Sequence, residues 1–250
     1  MEGRFSGLAR GGNALIGRLA CLVGQALFPH FCLKCGQEGL LVCPECVSGE
    51  DARLRGVFWC PACGVNNGTG QPCPGCRDRT EFSAVVSAET YGRSLPQRLL
   101  QVWKYQGVSE AGEILCGLFR DFLAGHPETA GFLRDHVVVP VPLHPFRLAE
   151  RGFNQAETIA RTLSVACGLP VRTDILQRRW QWHKQATVSD PAKRQANAAG
   201  SVAVNPAVGV PERVVLVDDV MTTGATLSLC ARCLKSAGCR EVKAVTVLRG

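Results

Sequence analysis

Two adjacent carboxylates, Asp218 and Asp219, end an apolar run in Val214 to Leu227, VVLVDDVMTTGATL, and a short Thr/Gly/Ala/Thr loop follows them. An unbroken β-branched run is what a central parallel strand looks like when both faces are buried. Acids closing such a strand need a reason, because a buried charge without a partner is costly. Sugar hydroxyls or a divalent cation are the partners that two neighbouring carboxylates would hold. The loop can open a helix, where exposed backbone N–H groups and the helix dipole favour an anion such as phosphate. Thr222, Thr223 and Thr226 add hydroxyl donors, and Gly224 lets the backbone come close. Ligands of open α/β sheets gather at this carboxyl end of the strands. The competing reading is an ordinary buried strand followed by an acidic turn.

A second chemistry belongs to the cysteines, which number fourteen in the 250-residue chain. In the first third they form Cys-x-x-Cys pairs: Cys32 and Cys35, Cys43 and Cys46, Cys60 and Cys63, Cys73 and Cys76. Pro44, Gly36, Pro61, Gly64, Pro74 and Gly75 surround them and shape tight turns. Paired thiolates from two such turns complete a tetrahedral site closed to solvent, and zinc there contributes folding energy rather than a reactive water. The same ligands would serve a rubredoxin-like iron site. Which knuckles share a metal is open at this point, and a disulfide framework is the alternative for so dense a cluster. Cys230 and Cys233 form a further pair, but at helical spacing beside Leu227 and Leu234, where they read as small core residues.

Basic residues cluster twice more. Leu143 to Gln155, LHPFRLAERGFNQ, packs His144, Arg147, Arg151, Asn154 and Gln155 into a strand-to-helix connection. Donors in that position point to a second phosphate, with a solvated basic turn as the plainer account. Gln177 to Gly200 is long, basic and without period, which inside a compact domain marks a functional or disordered loop. Its Arg178, Arg179, Lys184, Lys193 and Arg194 supply cationic charge, and Trp180, Trp182 and His183 among them suit single-stranded nucleic acid.

The elements that must position these groups follow from periodicity. A strand starts near Phe82, helices fit Leu95 to Tyr105 and Ala111 to Leu123, and His126 to Gly131 reads as a loop. Val137 to Val141 is a strand, Asn154 caps a helix running to about Ala166, and Ser201 to Val204 returns to the sheet. Val214 to Val217, a helix from Ala225 to Ala237 and a strand from Glu241 to Leu248 complete the pattern. Alternation of this kind predicts an α/β fold, a mostly parallel sheet with helices on both faces, behind a small N-terminal zinc-ribbon module. The composition changes near residue 80, giving units at 1–80 and 81–250.

The net charge of +7 favours polyanionic partners without choosing among them. A 46% hydrophobic content and a mean hydropathy of +0.06 describe a chain with a real core. Residues 13–28 are too short and too interrupted by Arg18 and Gln25 for a membrane span, and their spacing suits an amphipathic helix better than a signal peptide.

The VVLVDDVMTTGAT stretch resembles the phosphoribosyl pyrophosphate (PRPP) motif of type I phosphoribosyltransferases. That resemblance implies ribose hydroxyls held by Asp218 and Asp219, which would be the catalytic pair. It implies a 5′-phosphate cradled by Thr222, Thr223, Gly224, Ala225 and Thr226, and pyrophosphate near Arg147 and Arg151. The 177–200 segment falls where such enzymes carry a hood that closes over PRPP. With the knuckles, WKYQG at Trp103 to Gly107, VPVPLHPFRLAERGFNQA at Val139 to Ala156 and KQATVSDPAKRQAN at Lys184 to Asn197, the chain as a whole resembles the ComF family. These are double-zinc-ribbon, phosphoribosyltransferase-like proteins, also described as GntX-like.

The family resemblance implies a cytoplasmic protein of natural competence. It would handle incoming single-stranded DNA, with two structural zinc ions, Mg²⁺ accompanying PRPP or a related sugar phosphate, and partners in the competence machinery. Lys104 lies near the ligand by the same analogy, or is a helix-surface lysine. The alternative is a catalytically inactive phosphoribosyltransferase fold used as a PRPP sensor or as a nucleic-acid- or protein-binding module.

Overall fold

A computed structural model describes residues 31–92, 94–178 and 202–250. The 13–28 segment, Cys21 and residues 179–201, with Trp180, Trp182, His183, Lys184, Lys193 and Arg194, lie outside the described residues. Two compact units divide after Asp51. Among its described residues, from Phe31, the first contains one short helix, α1 (Pro44–Val47), and a 3-10 turn, Glu50–Ala52, spans the division. Composition changes near residue 80, but the division falls earlier because the segment after Asp51 is stitched into the main sheet. There β1 (Val57–Phe58) pairs antiparallel with β2 (Ala84–Thr90), and Val85 N–H donates to Gly70 O at 2.8 Å.

The second unit is built on a five-stranded sheet ordered β1-β2-β7-β6-β3. β3 (Val137–Pro140), β6 (Arg213–Met221), β7 (Glu241–Arg249) and β2 are mutually parallel, so crossover connections carry the helices. Val214, Val215, Leu216 and Val217 are all fully buried, as a central strand with both faces covered requires. Val214 and Leu216 pack with Leu227, Cys230, Ala231 and Leu234 of α7 (Ala225–Ser236). Val215 and Val217 alternate to the opposite face. Helix α6 (Gln155–Cys167) packs there against β3 and β6, and behind it α3 (Ser109–Gly125) packs against α2 (Leu95–Gln106). The predicted α/β architecture with helices on both faces is what the chain adopts.

Both edges of the sheet are blocked. β1 covers β2, while β3 is flanked by the 170–172 segment, where Val138 N–H donates to Pro170 O at 2.8 Å and Arg172 N–H to Val138 O at 2.9 Å. No helix of the described residues is long and apolar enough to cross a membrane.

Three local expectations change. The 126–131 stretch is not a loop: Pro127–Phe132 is a helix, α4, started by a proline that lacks only an N–H the first turn would leave unpaired. Within the expected strand-to-helix connection, Pro145–Arg151 forms a further helix, α5, with His144 accepting from Phe146 N–H at 3.3 Å and Gly152 ending it at φ 79. Finally β5 (Val202–Val204) does not return to the main sheet but pairs antiparallel with β4 (Leu176–Arg178) in a separate ribbon.

Candidate functional site

At the carboxyl ends of β3 and β6 lies a cavity of about 420 Å³ lined by Lys104, His144, Arg147, Arg151, Asn154, Gln155, Arg178, Asp218, Asp219 and Thr226, with Val141, Pro142 and Leu143. Each wall has a local cause. Asn154 caps α6, its Oδ1 accepting from Ala156 N–H at 3.1 Å while its Nδ2 donates to Val141 O at 3.0 Å, which locks the helix start to the end of β3. Helix α5 carries Arg147 and Arg151 one turn apart toward the same space. Arg178, at the end of β4, is held by donating from Nε to Pro142 O at 3.2 Å.

The charges are unbalanced toward binding an anion. Lys104 Nζ pairs with Asp219 Oδ2 at 2.7 Å, both side chains mostly buried (16% and 13% exposed), and Arg147, Arg151 and Arg178 add cationic groups to the wall. Alternation along β6 sends Asp218 and Asp219 to opposite faces, and Lys104 reaches Asp219 from the last turn of α2. Asp219 N–H donates to Asp218 Oδ1 at 2.9 Å. Burial and the neighbouring Asp219 charge push the Asp218 carboxyl up to about 8, against the pull of that N–H, Lys104 and Arg178. Gln155 is 1% exposed and its Oε1 accepts from Arg151 at 3.3 Å, but its Nε2 has no hydrogen-bond partner among the described residues. A buried unpaired donor on a cavity wall suits a ligand oxygen.

The loop after β6 turns through Gly224, at φ 71, into α7. Ala225 N–H donates to Thr223 Oγ1 at 3.4 Å, and the N–H groups that follow it in the first turn of α7 have no carbonyl partner within the helix, which suits an anion. Thr226 lines the cavity; Thr222, Thr223 and Ala225 are exposed on the loop beside it. A Cβ at Gly224 would collide with Met221 Cε, and its backbone conformation is one that other residues rarely adopt. Gly224→Ala is therefore expected to lower stability by about 1–3 kcal/mol and weaken phosphate binding on the order of tenfold, read by thermal denaturation and by titration with Mg²⁺·PRPP.

Next to this cavity is a second of about 510 Å³ that shares Lys104, Arg147 and Arg151 and adds Tyr105 and Phe146. Both rings are exposed, and the Arg151 guanidinium lies 5.5 Å from the Tyr105 ring centroid.

Two cysteine centres repeat one design. In the first unit the Sγ atoms of Cys32, Cys35, Cys43 and Cys46 lie within 4.8 Å of one another; in the second unit those of Cys60, Cys63 and Cys73 do. Cys76 is buried on a 3-10 turn, Pro74–Arg79, that follows Cys73, outside that 4.8 Å group. Tetrahedral zinc with Zn–S of about 2.3 Å places sulfurs about 3.8 Å apart. Cys35 and Cys43 stand 3.7 Å apart, and Cys63 and Cys73 3.9 Å. The donor sets therefore fit a metal ion, and the knuckles brought together are Cys32–Cys35 with Cys43–Cys46, and Cys60–Cys63 with Cys73.

Burial opposes ionisation of Cys32 and Cys60, yet backbone N–H groups aimed at each sulfur outweigh it and lower both thiols to about 6. Among these donors, Cys43 N–H lies 3.5 Å from Cys32 Sγ and Cys73 N–H lies 3.4 Å from Cys60 Sγ. Such N–H···S contacts hold thiolates ready for a metal. Cys230, fully buried in the core, and Cys233, donating to Val202 O at 3.5 Å, read as the packing residues expected of them.

Of the residues marked from sequence, Asp218, Asp219, Thr226, Arg147, Arg151 and Arg178 share one cavity. Sequence gave no preference between Lys104 as ligand neighbour and as surface residue; its ion pair with Asp219 places it in the site. Gln155 and His144 were noted only as members of a basic turn, and no spacing signals the unpaired Nε2 of Gln155.

Known proteins resemble this chain in the same terms. A model of the phosphoribosyl transferase domain matches residues 148–250. Competence protein F of Haemophilus influenzae is 27% identical over 86% of this chain and 95% of that protein. Two proteins named competence protein ComFC are 29% identical: that of Streptococcus pneumoniae over 87% of this chain and 99% of its own length, and that of Bacillus subtilis over 94% and 96%. Over most of its length the chain is thus similar to the ComF-type competence proteins, and its residues 148–250 match the phosphoribosyl transferase domain.

Proposed function

We propose that the second unit binds PRPP with Mg²⁺ and that the protein acts in natural competence, in the cytoplasm, on incoming single-stranded DNA. The observation that carries the binding reading is the convergence of Asp218 and Asp219 with Lys104, Arg147, Arg151 and Arg178 in one cavity beside a helix N-terminus. In this reading Asp218 and Asp219 accept hydrogen bonds from the ribose hydroxyls. Thr222, Thr223, Gly224, Ala225 and Thr226 surround the 5′-phosphate, and Arg147 and Arg151 face the pyrophosphate. Mg²⁺ would neutralise part of the pyrophosphate charge. Transfer, where an acceptor is present, breaks the C1–O bond to pyrophosphate and forms a bond from C1 to the acceptor. The protein's part is positioning and stabilising charge as C1 becomes cationic. The names of the relatives support the competence setting, and the metal held by the cysteine centres is proposed to be zinc.

Calorimetric titration of Mg²⁺·PRPP into the wild type and Lys104→Ala tests the binding reading. The wild type should bind, and the variant should bind about tenfold more weakly, since it loses a charge-assisted contact in a partly buried site. A folded, metal-loaded wild type that gives no heat and protects no residue of the cavity would sink it.

A second reading is favoured by one observation. The neighbouring groove places exposed Tyr105 and Phe146 beside Arg147 and Arg151, a pairing of rings and cations that suits a base and its phosphate in single-stranded nucleic acid. Affinity for a short oligonucleotide that falls steeply with salt and on Tyr105→Ala would support it.

A further inference from the structure

We propose that Arg249 is a positioning residue that couples the second cysteine centre to the phosphate loop, so that metal at that centre and PRPP at the loop strengthen each other. The inference rests on the PRPP reading above. Its ground is the placement of one residue. Arg249 ends β7, and its register partner on β6 is Met221, the residue before Thr222. Gly250 N–H donates to Met221 O at 2.9 Å, and a Cβ on Gly250 would stand 3.1 Å from Thr222 Cγ2. The Arg249–Gly250 backbone is thus a wall of the phosphate loop.

The side chain of Arg249 runs to the cysteine centre. Its Nη2 donates to Gly64 O at 3.0 Å, and its guanidinium lies 4.0 Å from the centroid of the Trp59 ring. Trp59 and Gly64 are the two residues that bracket the Cys60-Pro-Ala-Cys63 turn. The fit at Gly64 is close: a Cβ there would stand 2.8 Å from Nη2. Trp59 opens a second route. It is 4% exposed, and its Nε1 donates to Ser87 Oγ at 3.4 Å. Ser87 bonds Thr246 Oγ1 at 2.7 Å, and Thr246 is the register partner of Asp218. One cysteine turn therefore reaches both halves of the candidate site, the loop through Arg249 and the carboxylates through Thr246.

The two states that such coupling needs are supplied by the metal. A Cys₄ turn is ordered by its ion and loosens without it. When the turn loosens, Arg249 loses both its acceptor and its aromatic face, and the loop wall gains freedom that PRPP must then remove on binding. Linkage requires the reverse effect to be equal, so bound PRPP must hold the metal more firmly.

The experiment uses the full chain loaded with zinc. Mg²⁺·PRPP is titrated calorimetrically into the wild type, Cys63→Ser, Cys35→Ser, Arg249→Ala and the Cys63→Ser/Arg249→Ala double variant. Chelator-driven zinc release is followed with and without PRPP. Cys63→Ser and Arg249→Ala should each weaken binding about 5- to 10-fold, and the double variant no more than either. Cys35→Ser, in the other unit, should bind like the wild type.

PRPP should slow the release of one zinc in the wild type and of none in Arg249→Ala. Should Arg249→Ala fail to fold, Arg249→Lys keeps the charge over Trp59, loses the fork to Gly64 and should show a smaller loss of the same kind. Losses that multiply in the double variant, or zinc release indifferent to PRPP in a wild type that binds it, would overturn the coupling. A wild type that binds no PRPP removes the underlying reading instead.

Discussion

Replacing Asp218 and Asp219 together by asparagine is expected to weaken Mg²⁺·PRPP binding by at least about 100-fold, from two lost charge-assisted contacts of about 1.5–3 kcal/mol each, while leaving the fold intact. The same change should reveal what the site costs the protein. The Asp218 carboxyl is raised to about 8 by burial and by Asp219, above its value of 3.8 in an unfolded chain. The folded state therefore holds this proton more tightly than the unfolded state. The associated stability is fully present below the unfolded value and is lost as pH rises through about 8.

Asp218→Asn alone removes that loss. Its melting temperature should exceed that of the wild type by a margin that widens from pH 5 to pH 8, reaching several degrees. Thermal melts across that range decide the matter: a variant that is less stable at every pH would mean Asp218 is a structural carboxylate. Stability gained where binding is lost is the signature of a pair kept for a ligand.

Cys60→Ser should have the largest effect on the fold itself. Its sulfur is fully buried, receives N–H groups from the turns around it and anchors the second centre. Metal content should fall from two ions to one. The lost stabilisation, of order 3 kcal/mol or more, corresponds to roughly 6–12 °C in melting temperature for a unit of this size. Elemental analysis beside a thermal melt checks both parts. An unchanged metal content would remove Cys60 from the ligand set. The effect should spread beyond the centre, because Trp59 packs in the same core as Val85, Leu216 and α7.

Much of this was legible in the sequence because its signals are local. A buried β-branched run ending in acids, a Gly in the loop and cysteines two residues apart each announce themselves within a dozen positions. The Asn154 cap did so as well, and α6 runs within one residue of the expected limits. What escaped was either short or distant. Helices α4 and α5 span six and seven residues, too few for a period to show, although Pro127, Pro145 and Gly152 were there as punctuation. The Lys104–Asp219 pair joins residues far apart in sequence, and nothing around Lys104 distinguishes it from a surface lysine. The strand expected at Ser201 to Val204 was assigned to the wrong sheet because an apolar strand carries no mark of which sheet it joins. The division after Asp51 follows from backbone pairing, to which composition is blind.

The two-residue strand β1 has a consequence for how the protein fares in solution. It covers the open side of β2, an AVVSAET strand whose first five residues are buried. A long apolar strand with unpaired N–H and C=O groups is a template for another chain, and proteins guard such rims. Here the guard is tethered by the turns around Cys60 and Cys73 rather than by a helix or a row of lysines. Prolonged chelation should then be visible first as turbidity, with intermolecular β-structure in the infrared spectrum, before unfolding is complete. The ion in the second centre would be keeping the protein soluble as well as folded.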